Sequence, residues 1–356
     1  MTDPSPRWMI YGANGFTGRM VADLAVARGH RPVLAGRSPT VASVAASLGL
    51  QSQVFSLDDA ARAREAVAGC RVVAHCAGPF TATSGPMIDA CLAAGAHYVD
   101  ITGEIDVFEA ARCRDAEART RGIVICPGVG FDVIPTDCVA ATLAGTLPDA
   151  THLALGFDTG SGMSSGTART AVAALPDGGR VRRDGRLETI PLGSLMRTVD
   201  FGRGPRHAVA IPWGDVATAF ATTGIPTIEV YVPLPWGAAF ALRAWHPARG
   251  VFSLGPVQWL LQNLAGRVAG PDARTRAATP AWVWGEARDP RGRTAIARLR
   301  TANVYDVTAE GVLMAVEHLL GRNGPGGFFT PARLMGPRCV ERLPGSGTIA
   351  VEVRDR

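Results

Sequence analysis

A short apolar run, Trp8–Tyr11, is followed at once by Gly12-Ala13-Asn14-Gly15-Phe16-Thr17-Gly18. An amphipathic pattern then places Phe16, Met20, Val21, Leu24 and Ala25 on one face. Strand, three glycines at this spacing, then helix is an arrangement that few folds accommodate. It lets bare backbone amides approach an anion at a helix N-terminus, the geometry that holds a dinucleotide pyrophosphate. In a chain with 42 glycines, three of them alone would be a weak signal. Their position between a strand and a helix gives them meaning.

The alternation continues. Strands are expected over 31–35, 53–55, 71–76, 97–101 and 123–126, and helices over 41–48, 60–68, 85–94 and 107–121. This spacing predicts a Rossmann doubly wound parallel sheet, an α/β domain over residues 1–127. After Pro127 the pattern changes. Strands over 151–157 and 227–232, a helix over 167–175, and hairpins around Asp184-Gly185 and Asp289-Pro290-Arg291-Gly292 predict an α+β substrate and dimerisation domain over 128–325. Its sheet is expected to be mostly antiparallel. Residues 326–356 are expected to return to the first domain.

All 36 basic residues are Arg; the chain contains no Lys. That excludes a Walker-type phosphate loop, lysine Schiff-base catalysis and a Tyr-x-x-x-Lys catalytic pair. The net charge of +5 is spread along the chain without a basic run, which reads as solvated surface and not as a nucleic-acid footprint. The seven Cys form no Cys-x-x-Cys pair, and the His are scattered. Reduced thiols, no metal site and a cytoplasmic location are expected. The apolar stretch Val230–Leu242 is broken by Pro233, Pro235 and Gly237, so no segment reads as membrane-spanning.

Within the first domain the candidate cofactor residues are Gly12, Asn14, Gly15, Phe16 and Thr17 in the loop. Gly36, Arg37 and Ser38 follow the second strand, where Arg37 stands in place of the acidic residue that would bind an NAD ribose. A guanidinium there pairs with a 2′-phosphate, so NADP(H) is expected. Asp58, past the third strand, joins the set. Cys76, Ala77, Gly78 and Pro79 follow the fourth strand, where small residues admit a nicotinamide ribose; the alternative is an ordinary turn. Thr102 and Gly103 follow the fifth. Glu104 is a catalytic candidate or else a cap on the helix after it. Asp132, beside Gly128-Val129-Gly130-Phe131, is the second catalytic candidate; Asp132 or Asp137 is expected to face a cleft at the domain junction, and either one capping a helix from Pro135 to Ala144 is the alternative.

Together these motifs resemble the saccharopine dehydrogenase-like oxidoreductase superfamily, nearest the branch that includes the trans-acting enoyl reductases of mycobacterial lipid synthesis. The resemblance rests on residues 12–18, Ala35-Gly36-Arg37, Cys76–Phe80, Tyr98–Glu104 and Gly130–Asp137. Ser165-Gly166-Thr167 and Gly327–Ala332 also match. It is dense over 8–137 and thin beyond. Val129 and Val133 depart from the small or polar residues of the family, and the chain is shorter than typical members of the branch. The resemblance implies a Rossmann domain, NADP(H), a substrate domain with a mixed sheet, and hydride transfer to or from a C=C or C=N bond.

The expected activity is therefore NADPH-dependent reduction of an activated enoyl bond in a lipid, polyketide or secondary-metabolite intermediate, a small-molecule substrate that could be acyl-linked. One alternative is an imine or amino-acid dehydrogenase, for which Arg169, Arg197 or Arg206 would anchor carboxylates. Another is a non-catalytic NADP-binding scaffold. The apolar stretch Tyr231–Leu264 suits core, a homodimer interface or the lining of a greasy site.

Overall fold

Short apolar runs flanked by turn residues make strands that are buried on both faces, as a covered parallel sheet requires, the polar edge strand Ser52–Val54 being the exception. In the computed structural model, which describes residues 7–160, 165–174, 176, 178–268 and 270–355, these are β1 (Trp8–Tyr11), β2 (Val33–Gly36), β3 (Ser52–Val54), β4 (Val72–His75), β5 (His97–Asp100) and β6 (Val124–Cys126). Their spatial order is β3-β2-β1-β4-β5-β6, with every pair parallel. Order reverses between β1 and β4, which opens a crevice at the carboxyl edge of the sheet. The helix Phe16–Ala27 buries Gly18, Val21, Ala22 and Ala25 at helical spacing.

Two helical expectations shift. The helix expected over 85–94 is Phe80–Ala94, and Pro86 lies inside it. Its early start is explained by the carboxylate cap described below. The helix expected over 107–121 is two, Ile105–Cys113 and Asp115–Arg121, broken at Arg114. The helix expected over 167–175 is Ser165–Ala174; Leu175 lies outside the described residues.

The second sheet comprises β7 (His152–Thr159), β8 (Gly179–Arg183), β9 (Arg186–Ile190), β10 (Met196–Asp200), β11 (Pro205–Ala210), β12 (Thr227–Pro233), β13 (Ala281–Arg288) and β14 (Thr294–Thr301). Both expected hairpins form. Asp184 and Gly185 take φ of 48° and 78° between β8 and β9, the left-handed pair that a tight hairpin demands. The sheet is mixed, because β12 runs parallel to β7 while β13 is antiparallel to both β7 and β14. Phe201, Tyr231 and Trp284 pack on one of its faces. A Cβ on Gly285 of β13 would come within 2.5 Å of Val139 on the helix Ile134–Thr146, so that glycine admits the helix.

Two late strands divide between the sheets. β15 (Gly327–Phe328) extends the first sheet in parallel beyond β6, and β16 (Ala350–Arg354) pairs antiparallel with β14 in the second. The chain separates into one unit of Met1–Phe131 with Tyr305–Met335, and another of Asp132–Val304 with Gly336–Arg356. This differs from the expected division. The helix Val304–Leu320 falls largely in the first unit, and the C-terminal segment splits at Met335 instead of returning whole. Both differences arise from long-range pairing that local periodicity does not encode.

Candidate functional site

In the first unit the site is built at the carboxyl ends of β1, β2, β4 and β5. Gly12 takes φ of 87° and donates its N–H to the Ala35 carbonyl at 2.7 Å, tying the loop to β2. A Cβ on Gly12 would meet the Ala77 Cβ at 2.8 Å, and one on Gly18 would meet the Gly12 carbonyl oxygen at 2.2 Å. Both glycines are therefore steric requirements. Gly15 is exposed and caps the helix Phe16–Ala27 without a side-chain hydrogen bond, and the first turn carries no acidic residue. The open N-terminus suits an anion. Phe16 offers its backbone there while its ring packs edge-on to Tyr305 at 5.1 Å.

At the end of β2, Gly36 is held close: a Cβ there would lie 3.1 Å from Asn14 Oδ1. Asn14 Nδ2 donates to Thr40 Oγ1 at 3.1 Å, and the Ser38 hydroxyl lies 2.9 Å from the same Thr40 oxygen. Arg37 is exposed, and among the described residues no ion pair engages it. It lies near the Tyr11 phenol, as does Asp58. Burial raises the phenol pKa, the Arg37 charge opposes that, and the Asp58 carboxylate adds to it. The Tyr11 hydroxyl donates to the Phe55 carbonyl at 3.1 Å. A cation clear of carboxylate partners beside the pyrophosphate loop is what a 2′-phosphate needs.

After β4, the chain runs from half-buried Cys76 and Ala77 to exposed Gly78 and Pro79. Thr83 Oγ1 donates to the Ala77 carbonyl at 2.7 Å and steadies the turn. Burial raises the Cys76 thiol to about 12, so it is no nucleophile at neutral pH. His75, fully buried beneath, is lowered to about 4 by loss of solvent and stays neutral.

Glu104 has a different job from either one expected of it. Its Oε1 accepts the Phe80 N–H at 3.0 Å and its Oε2 accepts the Thr81 N–H at 2.7 Å. It caps the helix Phe80–Ala94, and it makes no side-chain cap on the helix that follows it. With both oxygens held by amides, a catalytic role has no geometric support. Thr102 is buried, its Oγ1 accepting the Glu104 N–H at 3.1 Å, and Gly103 follows it at the strand end. Asp100, the other carboxylate of the Tyr98–Glu104 motif, organises this corner. It accepts from the Tyr98 hydroxyl (2.7 Å) and from the N–H groups of Thr102 (3.0 Å) and Gly128 (2.8 Å). Burial raises it to about 6 against the pull of those hydrogen bonds.

The second unit carries its own acidic cluster. Asp132 is half-buried, and desolvation raises its carboxyl to about 7. Its carbonyl accepts Trp213 Nε1 at 2.9 Å. Asp215 is fully buried. Its Oδ1 accepts the Thr136 hydroxyl at 2.6 Å, its Oδ2 finds no partner, and burial, reinforced by the Asp137 and Asp132 charges, holds its pKa well above the usual carboxylate range. Asp137 accepts from Thr222. No motif flagged Asp215, since its Thr136 partner lies 79 residues away. Among the described residues no three His, Cys, Asp or Glu side chains converge as a metal site, and no helix is long and apolar enough to cross a membrane.

Residues 8–126 match the saccharopine dehydrogenase NADP binding domain. A Mycobacterium bovis protein named trans-acting enoyl reductase is 28% identical over an alignment that covers 96% of both chains. The apo saccharopine dehydrogenase (L-Glu forming) of Saccharomyces cerevisiae shares the fold, with a TM-score of 0.68 over 98% of this chain and 100% of that one, at 11% identity. Residues 8–126 of the chain thus carry a saccharopine dehydrogenase NADP binding domain. Other matches are partial. A Mycobacterium tuberculosis relative is 32% identical over 190 residues, 47% of this chain and 43% of that protein. A Mycobacterium leprae trans-acting enoyl reductase is 36% identical over 143 residues, 33% of its length. The glycine cradle of the first unit, which a Cβ would fill, fits the dinucleotide implied by its NADP-binding domain.

Proposed function

We propose that the protein is an NADPH-dependent reductase of an activated C=C bond in an acyl-type small molecule. The observation that carries the cofactor half is Arg37, clear of carboxylate partners at the end of β2 beside a helix N-terminus lacking acidic residues. The pyrophosphate would rest on the amides from Gly12 to Phe16, with Asn14, Thr17 and Ser38 as neighbouring polar groups. Arg37 would take the 2′-phosphate. Asp58 would flank the adenosine end, and Ala77, Gly78, Pro79 and Gly103 would admit the nicotinamide ribose. Bound NADPH supplies the hydride.

The substrate half rests on the mycobacterial relatives named as enoyl reductases. It is supported by how the arginines of the second unit are engaged. Arg197 bonds both carboxylate oxygens of Glu286 at 2.9 and 3.0 Å and stacks over Trp284 at 4.8 Å. Arg206 pairs with Asp158 at 2.8 Å. Two of the three arginines that an amino-acid dehydrogenase would use for substrate carboxylates are thus committed internally. We assign the proton to Asp132, whose carboxyl near 7 keeps a protonated fraction at neutral pH. NADPH consumption by the purified protein, followed with an enoyl thioester and in parallel with a cyclic imine carboxylate, tests the reading. Turnover of the thioester alone is expected. Turnover of the imine alone would replace this reading by its alternative, and turnover of neither would favour a scaffold.

A further inference from the structure

The stretch expected to be core, interface or site lining is largely surface. The helices Trp236–Trp245 and Gly255–Ala265 follow β12, joined by a 3₁₀ segment, and the second packs against Ser165–Ala174. Nine of the twelve large apolar side chains exposed among the described residues lie between 236 and 268. They include Trp236, Phe240 (68% exposed), Leu254, Trp259 (70%), Leu260 and Leu264. Gln258 Nε2 donates to the carbonyls of Phe252 (2.8 Å) and Val172 (3.1 Å), which fixes the second helix while its apolar side chains stay outside. Isolated exposed apolar residues need no explanation, but a concentration like this marks an interaction surface.

Charge selects what it meets. Between Glu229 and Asp272 there is no acidic residue, while Arg243, Arg249 and Arg267 fall within the stretch. Arg243 and Arg267 are exposed. A second copy meeting this face symmetrically would set arginine against arginine with no carboxylate to answer it. Anionic lipid phosphates answer it directly, and exposed Trp beside Arg is the side-chain mixture that settles at a bilayer's headgroup boundary. Helices of 10 and 11 residues are too short to cross a bilayer but long enough to lie in its surface. We infer that the 236–268 face docks on an anionic lipid bilayer. The inference does not depend on which bond the protein reduces.

The test is co-sedimentation of the full chain with vesicles of phosphatidylcholine alone, or of phosphatidylcholine with phosphatidylglycerol at about 30 mol%. Light scattering without lipid and NADPH binding are measured beside it. Binding to the anionic vesicles is expected, at least about tenfold stronger than to the neutral ones and weakened by salt. A Phe240→Glu/Trp259→Glu double variant, its fold checked by an unchanged melting curve, should lose it. Arg243→Glu/Arg267→Glu should lose the anionic preference. No enrichment on either vesicle would overturn the inference. So would a dimer that the apolar variant converts to monomer without any vesicle binding, since the face would then be covered by a second copy.

Discussion

The three glycines of the loop do different things, and substitution separates them. At Gly18 an added Cβ would sit 2.2 Å from the Gly12 carbonyl oxygen, a backbone atom that cannot step aside. Gly18→Ala is expected to lower stability by roughly 1–3 kcal/mol in a urea titration. At Gly15 the nearest atom is 3.2 Å away. Gly15→Val, whose Cβ would lie 3.2 Å from the same oxygen, should lower the urea midpoint less than Gly18→Ala does and should abolish NADPH binding; a folded variant that still binds would refute the loop's role. Asp132 gives a second prediction. An acid raised to about 7 in the folded protein is protonated below that pH and ionised above it. Turnover should fall as pH rises through about 7, and Asp132→Asn should slow it by roughly 10²–10⁴-fold and remove that alkaline limb. An unchanged profile would exclude Asp132 as the proton source. Residue identities at the loop and at Arg37 were legible in the sequence because glycine spacing and a charge at a strand end are local signals. The partners of Asp215 were not, because the hydroxyl of Thr136 reaches it only after the chain has folded.

At the scale of elements, the helix Phe80–Ala94 owes its first turn to Glu104. The carboxylate closes two amides that would otherwise be orphaned and places negative charge at the positive end of the helix. Glu104→Ala should cost roughly 1–2 kcal/mol of stability by chemical denaturation. A variant of full stability that has lost turnover would restore the catalytic role that the geometry withholds. The sequence offered Glu104 as a cap on its own helix, the nearest one along the chain. The true partner is a helix that starts 24 residues earlier, brought alongside by the parallel pairing of β4 and β5. The strands of both hairpins were legible from Asp-Gly and Asp-Pro-Arg-Gly. The parallel pairing of β12 with β7 was not, since nothing local distinguishes it from an antiparallel neighbour.

At the scale of the whole molecule, the cofactor unit is discontinuous in sequence. The family match ends at residue 126, yet the helix Val304–Leu320 and β15 complete the unit. Thr308 Oγ1 accepts the Phe131 N–H at 3.0 Å, Glu310 pairs with Arg28, and Glu317 lies 3.0 Å from His30. A fragment of residues 1–131 should therefore show no cooperative melt by circular dichroism, or should melt roughly 10 °C or more below the full chain. Equal melting would make the late helix an accessory.

The account rests on a pyrophosphate loop joined to a 2′-phosphate site, so the decisive measurement is a fluorescence titration of the purified protein and of Arg37→Ala with NADPH and NADH. The wild type should bind NADPH saturably and at least about tenfold more tightly than NADH, and Arg37→Ala should lose that preference by weakening NADPH alone. Equal affinities in the wild type, or equal losses in the variant, would contradict it.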